Sequence, residues 1–229
     1  MTELITYVFE FVTMILSFIA AILLYNKSRT SEIKLGSRLL SFSSILLGLY
    51  ALSTIIYSLI GQEWAIQVFL KIGIVCLIYS VLFLFYTMIF LIYPIKWVKS
   101  KIRYMIGIFV IATIISVIIV IVDHIEVKNE VTADTHFDPI IPYILFALYM
   151  GFMLLFSTIT LFYFGILKSS ASKMRMTLFF LGLILVIVSL VNEVIGNFIE
   201  NEVLFDTLLF GFLSGATVLF TLSIFRGKT

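Results

Sequence analysis

Long apolar runs alternate with short polar connectors along the chain, and the runs have the length of membrane-spanning helices. Seven of them cover roughly residues 5–25, 39–60, 65–93, 104–122, 142–167, 176–199 and 207–225. A hydrocarbon core about 30 Å thick is crossed by about 20 helical residues. In lipid the backbone must satisfy its own hydrogen bonds, which a helix does. The third run exceeds that need, which predicts a tilted helix or one that projects beyond the bilayer. The predicted fold is an all-α integral membrane protein: one domain over residues 1–229, a bundle of seven transmembrane helices. One connector, 123–141, is long enough to form a small hairpin or cap. The first run reads as a retained span rather than a signal peptide. It opens without a basic segment, carries Glu3 and Glu10, and outruns the roughly 7–15 apolar residues of a signal sequence.

The connectors fix an orientation. Segments after the first, third, fifth and seventh runs hold Lys27, Arg29, Lys34, Arg38, Lys96, Lys99, Lys101, Arg103, Lys168, Lys173, Arg175, Arg226 and Lys228. These are all of the 15 Lys and Arg residues except Lys71 and Lys128, and the only acid among them is Glu32. The other side carries Glu3, Glu63, Asp123, Glu126, Glu130, Asp134, Asp138, Glu200, Glu202 and Asp206. Short loops rich in Lys and Arg stay in the cytoplasm, so the N-terminus is expected outside, the C-terminus inside, and the protein in the plasma membrane as a multi-pass chain. Trp64, Tyr57 and Tyr143 at one level and Trp97, Tyr25, Tyr93, Tyr104 and Tyr163 at the other suit interfacial belts.

Composition agrees. The chain is 62% hydrophobic and 12% charged, where soluble domains are roughly 45–50% apolar and about 25% charged. A net charge of +2, with its cations in interhelical loops, argues against nucleic acid. The one cysteine, Cys76, excludes an internal disulfide or a cysteine-based zinc site within one chain.

Ionisable residues within spans mark candidate functional sites. There are three: Glu10, Lys71 and Glu193. At 1.5 Å per residue all three fall at similar heights in the outer part of the bilayer. Ser189, Glu193 and Asn197 follow at i, i+4, i+8 and share a helix face, with Asn192 beside it. Two readings stay open. In one, these residues line an outward-facing polar pocket with Lys71 paired to Glu193 and to Glu10. In the other, Lys71 and Glu10 snorkel to the headgroups and Glu193 is a packed hydrogen-bonding residue. For Glu10 alone, snorkelling is the expectation. In the long connector, His124, His136, Asp134 and Asp138 have the chemistry of a divalent-metal site, set against a plain solvated acidic loop. Small residues at Ser41, Ser43, Ser44 and Gly48, and at Gly211 and Gly215, predict close helix approach. Tyr79 and Tyr86 are expected in the core.

Enzymatic readings find no support, and no cofactor is expected. No histidine lies inside a span, no Gly-x-Ser-x-Gly occurs, and the seventh run lacks the lysine that holds retinal in light-driven proteins.

Several features together suggest a family. A basic first connector leads into a span with Leu49-Tyr50-Ala51-Leu52. A long third span ends at Tyr93-Pro94. A longer connector precedes the fifth span, and Lys173-Met-Arg175 leads into Leu181-Gly182-Leu183. This layout resembles the seven-transmembrane N-terminal sensor region of prokaryotic histidine kinases. The resemblance implies a membrane sensor and no catalytic residues. The sequence departs from that pattern in carrying no output domain after the seventh span. A sensor of this kind is expected to signal to a separate cytoplasmic protein, with the lipid bilayer as its other partner. The alternative is a small transporter or channel with its polar site around Lys71 and Glu193; a structural subunit of a membrane complex is a third reading. A polar path continuing to the inner side would favour transport.

Overall fold

The computed structural model describes the backbone of residues 2–29, 34–122, 124–129, 134–138, 141–166, 173–196 and 202–225. Side chains are described for 4–29, 34–121, 144–164, 166, 173–192 and 204–225. Helices α1 (Thr2–Ser28), α2 (Lys34–Ile60), α3 (Glu63–Ile92), a short α4 (Ile95–Ser100), α5 (Ile102–Val122), α6 (Ile141–Thr160), α7 (Lys173–Gly196) and α8 (Glu202–Phe225) follow in order. Seven of these are long and apolar enough to cross a membrane. The fifth run leaves α-helical geometry at its end, where Leu161–Ile166 is a π-helix. The 27 residues of α1 and the 30 of α3 correspond to about 40 and 45 Å of helix.

The connector between α5 and α6 holds an antiparallel hairpin of β1 (His124–Asn129) and β2 (Asp134–Asp138). The hairpin and the start of α1 lie at one end of the bundle, called here the hairpin end. The α4 segment, with Lys96, Lys99 and Lys101, lies at the opposite, basic end. Sequence patterning had not marked α4. It starts where Pro94, in extended conformation, breaks α3, since proline lacks the N–H that would continue the helix. Tyr93 stacks on Trp97 across this break at 4.0 Å.

Small residues let the central helices approach closely. Ser43 and Ser80 exchange hydroxyl-to-carbonyl bonds across α2 and α3, at 2.9 and 3.0 Å. Ser41 donates to the carbonyl of Ala21 on α1 at 2.8 Å. Gly48 accepts the ring of Phe18, Gly73 faces Ser53, and Gly182 sits beneath Phe220. Such small-residue seams replace the missing hydrophobic drive where helices meet in an apolar medium. Helices α1, α2, α3, α7 and α8 form this close-packed part. By contrast, α5 touches the rest through one stripe, Ala112, Ser116 and Ile119, which are buried at i, i+4 and i+7. Its polar attachments are Tyr79 to Thr113 at 2.9 Å and the Tyr86 hydroxyl to the carbonyl of Met105. Tyr86 is buried and Tyr79 half-buried against the core, and both spend their hydroxyls on α5.

Large apolar side chains are exposed along α1, α5 and α6, among them Val8, Phe11, Ile22, Ile106, Val110, Ile121, Leu148, Phe152 and Ile159. Water-soluble monomers do not carry apolar surface on this scale.

Candidate functional site

The α1 sequence places Thr6, Glu10, Thr13 and Ser17 at spacings of four, three and four, which puts them on one helix face. That face points into the bundle. Glu10, Thr13 and Ser17 are 5%, 0% and 0% exposed, while the neighbouring Val8, Phe9, Phe11 and Val12 are exposed. Glu10 was expected to snorkel; instead it is buried. The reason is its position: it lies on the stripe that continues through Ala20, Ala21 and Leu24, the buried side of α1, so its side chain points away from the helix surface along which snorkelling would run.

Two helices meet Glu10 there. From α2 comes Thr54, whose hydroxyl lies near the Glu10 carboxyl group and donates to the carbonyl of Ala51 at 2.7 Å. From α8 comes half-buried Asp206, close enough for its charge to act on Glu10. One turn further into the bundle, Tyr50 of α2 stacks on Phe210 of α8, with ring centres 5.8 Å apart and planes at 22°. Tyr50 precedes Thr54 by four residues and Phe210 follows Asp206 by four, so each polar residue stands one turn above an aromatic one. The stacked rings form the floor of the site.

The α1–α8 contact is closed above and below this level. Thr6 and Thr207 hydroxyls are 2.9 Å apart. Below, Thr13 Oγ1 lies 2.7 Å from Ser214 Oγ and 2.9 Å from the carbonyl of Phe210. Its own-helix acceptor, the carbonyl of Phe9, is at 2.8 Å. One hydrogen serves the two carbonyls, and Ser214 supplies the third contact. Among the described residues, Glu10 Oε2 and Ser17 Oγ are buried without a hydrogen-bond partner. An unsatisfied buried oxygen is costly, and a carboxyl group at this depth is unusual outside functional sites. Glu10 lies six residues along the helix from Leu4, about 9 Å.

Other residues singled out from sequence are placed as follows. Lys71, on α3, turns toward α5 and donates to the carbonyl of Val120 at 3.4 Å. Ser189 is fully buried and bonds within its own helix, to the carbonyl of Val186 at 2.7 Å. Asn192 ties α7 to α8 through Nδ2 and the carbonyl of Phe205 at 2.6 Å. Glu193 is part of α7, but its side chain lies outside the described residues, as does the whole of Asn197. In the hairpin, His124 pairs in register with Asp138, His136 with Glu126 and Asp134 with Asn129; the side chains there lie outside the described residues. Among the described residues no three His, Cys, Asp or Glu side chains converge on a metal position.

Sequence reasoning missed Thr54, Thr13, Ser214 and Asp206. Asp206 had been counted as a loop acid because the apolar run starts after it. The signal that could have found the site was the 6–10–13–17 polar stripe. It shares its spacing with the apolar stripe below, and polar residues at core spacing are unexpected on a surface-facing helix.

No protein-family model, curated protein or solved structure matches the chain.

Proposed function

We propose that this chain is a multi-pass protein of the cell membrane, N-terminus outside and C-terminus in the cytoplasm, acting as a receptor-like sensor. Its ligand site is the polar seam between α1, α2 and α8, and it signals through its basic end to a separate cytoplasmic protein. The observation that carries this reading is the burial of Glu10, with one carboxylate oxygen unpartnered, at the end of the bundle that charge bias assigns to the outside.

Two further observations support a sensor over a transporter. Inward of Ser17 the buried face of α1 becomes Ala20, Ala21 and Leu24, and Leu40, Leu47, Leu213, Ala216 and Phe220 fill the space beside it. The hydroxyls beside Ala20 and Ala21 are spent on carbonyls: Ser41 on Ala21, Ser44 on Leu40 and Thr217 on Leu213; Ser37 Oγ, one turn nearer the basic end, is buried without a partner. A transport path would need polar groups with capacity to spare there. Second, α1 and α8 run together from the site to the basic end, where Lys27 Nζ stands 5.5 Å from the centre of the Phe225 ring. A change in their spacing at Glu10 thus reaches the cytoplasmic surface directly. At the same end, Lys99, Lys101 and Arg103 line a basic groove suited to an acidic partner surface.

The test compares two measurements on the same preparation. Full-length protein in liposomes is assayed for ion and small-solute flux. In parallel, cross-linking in intact cells from a photoreactive residue at Lys99 is read for a discrete cytoplasmic product that changes in Glu10→Gln. A discrete product that responds to Glu10→Gln, with no flux above empty liposomes, supports the sensor. Flux abolished by Glu10→Gln, with no discrete product, refutes it in favour of transport.

A further inference from the structure

We infer that Glu10 and Asp206 hold a single proton between them, and that its exchange with the outer medium is the event the seam registers. The inference deepens the reading above and rests on it for the seam being a ligand site.

The first argument is charge. Glu10 and Asp206 are two acids on adjoining helices, and among the described residues no basic side chain faces them; the side chain of Lys128, in the hairpin, lies outside the described residues. The Lys and Arg residues of α1 and α2, Lys27, Arg29, Lys34 and Arg38, lie at the basic end; Lys27 is 17 residues from Glu10, about 26 Å along the helix. Lys71 is turned to Val120. The other titratable groups at this end of the packed elements are Tyr7 on α1, Tyr50 and Tyr57 on α2, and Glu3 on α1, Glu202 on α8 and Glu193 on α7, whose side chains lie outside the described residues. Two carboxylates so placed cannot both keep full charge in a low-dielectric interior. The pair needs a cation.

The second argument is space. Hydroxyl contacts of 2.9 Å (Thr6 to Thr207) and 2.7 Å (Thr13 to Ser214) pin α1 to α8 on both sides of Glu10, and the Tyr50–Phe210 stack closes the floor. A hydrated metal ion or an organic amine would have to break these contacts. A proton needs no volume.

The third argument is hydrogen count. Thr54 has one hydroxyl hydrogen, and the carbonyl of Ala51 lies 2.7 Å from its oxygen. The same hydroxyl is the one placed near the Glu10 carboxyl group. With its one hydrogen given to Ala51, Thr54 has none for Glu10, and Oε2 of Glu10 has no donor at all. A carboxylic acid at Glu10 supplies the missing hydrogen, either to Thr54 or to the Asp206 carboxylate.

The step balances simply. An O–H bond at Glu10 breaks, the proton passes to the half-buried Asp206 carboxylate and then to outer water, and the electron pair stays on the carboxylate. The reverse recharges the site. Loss of the proton leaves two negative charges between the Thr6–Thr207 and Thr13–Ser214 contacts and drives α1 from α8.

The test is infrared difference spectroscopy of the full chain in lipid nanodiscs through a pH titration, for wild type, Glu10→Gln and Asp206→Asn. The expected result is one protonated-carboxyl band that disappears as pH rises, is lost in Glu10→Gln and changes its midpoint in Asp206→Asn. Exchanging sodium for choline at fixed pH is expected to leave it unmoved. No titrating carboxyl band in wild type, or a midpoint unaffected by Asp206→Asn, overturns the inference; the second criterion holds even if Glu10→Gln does not fold. A band displaced by sodium also overturns it and assigns the seam to a metal ion. The two readings fail separately. A proton band without the cytoplasmic cross-link product sinks the sensor and leaves the proton site. The product without a band sinks the proton site alone.

Discussion

Replacing Gly73 with alanine tests whether α2 and α3 are packed as tightly beneath the site as described. A Cβ at Gly73 would lie 2.5 Å from Ser53 Oγ, 3.2 Å from Tyr50 Cδ2 and 3.7 Å from Ser53 Cβ. The first distance is impossible for a carbon against an oxygen, so something must move. Ser53 Oγ is held at 2.7 Å from the carbonyl of Tyr50, and turning it away gives up that bond, worth about 0.5 kcal/mol. Sliding α3 outward instead disturbs the Tyr50 ring that floors the site. Overpacking of this kind costs about 1–3 kcal/mol, and Gly73→Ala is expected to cost about 2 kcal/mol. Ser53→Ala alone removes one hydroxyl bond and is expected to cost about 0.5 kcal/mol. In the double variant the 2.5 Å contact is gone; the Cβ contact at 3.7 Å is ordinary, and only the Tyr50 ring edge at 3.2 Å must give by a few tenths of an ångström. The pair should then cost about 1 kcal/mol, a favourable coupling of about 1.5 kcal/mol relative to the sum of the single changes. Gly107→Ala is the control, because no atom lies within 4 Å of its Cβ position. The assay is equilibrium unfolding by titration of a denaturing detergent into mixed micelles, followed by circular dichroism. Gly73→Ala behaving like Gly107→Ala, or costs that simply add in the double variant, would refute the packing argument.

Three further outcomes are expected. Thr13→Val removes the group that joins α1 to both Ser214 and Phe210 and should cost about 1 kcal/mol, whereas Thr158→Val, which loses only an own-helix bond to Leu154, should cost less than about 0.5 kcal/mol in the same titration; equal effects would deny Thr13 its interhelical role. Lys71→Met and Glu193→Gln should add within about 0.5 kcal/mol, because Lys71 is engaged with Val120; a coupling well above that would re-establish them as a pair. In a Cys76→Ser background, single cysteines placed at 131 and at 99 should react with a membrane-impermeant thiol reagent on opposite sides, position 131 from outside; labelling at position 131 only after permeabilisation would invert the topology.

The architecture was legible because the strongest constraint on the chain is the simplest. Runs such as 104–122, which contain no charged residue, have one stable conformation in lipid, and α5 occupies Ile102–Val122. What hydropathy could not show is which way a helix faces when apolar residues surround it. Glu10 illustrates this. Its depth in the run suited headgroup contact as well as burial, and only its phase relative to Ala20 and Leu24 separates the two. Asp206 was obscured by a boundary: an acid at the edge of an apolar run reads as a connector until the helix is seen to begin at Glu202. Ser189 shows a related ambiguity, since a polar residue at helical spacing can spend its hydroxyl within its own helix, here on Val186. The α4 helix was hidden because Pro94 and the lysines after it read as a loop.

The mutual serine bonds between α2 and α3 bear on how the chain is made. These helices are joined by Gly61 and Gln62 alone, with Gly61 at a φ of 63° that favours glycine. Ser43 and Ser80 answer each other's hydroxyls without help from any later segment. A helical pair that is self-sufficient in this way is ready to form before α5 or α8 has been synthesised. It would then serve as the template on which α1 and α8 close, so that the acid-bearing cleft is among the last parts of the protein to be completed.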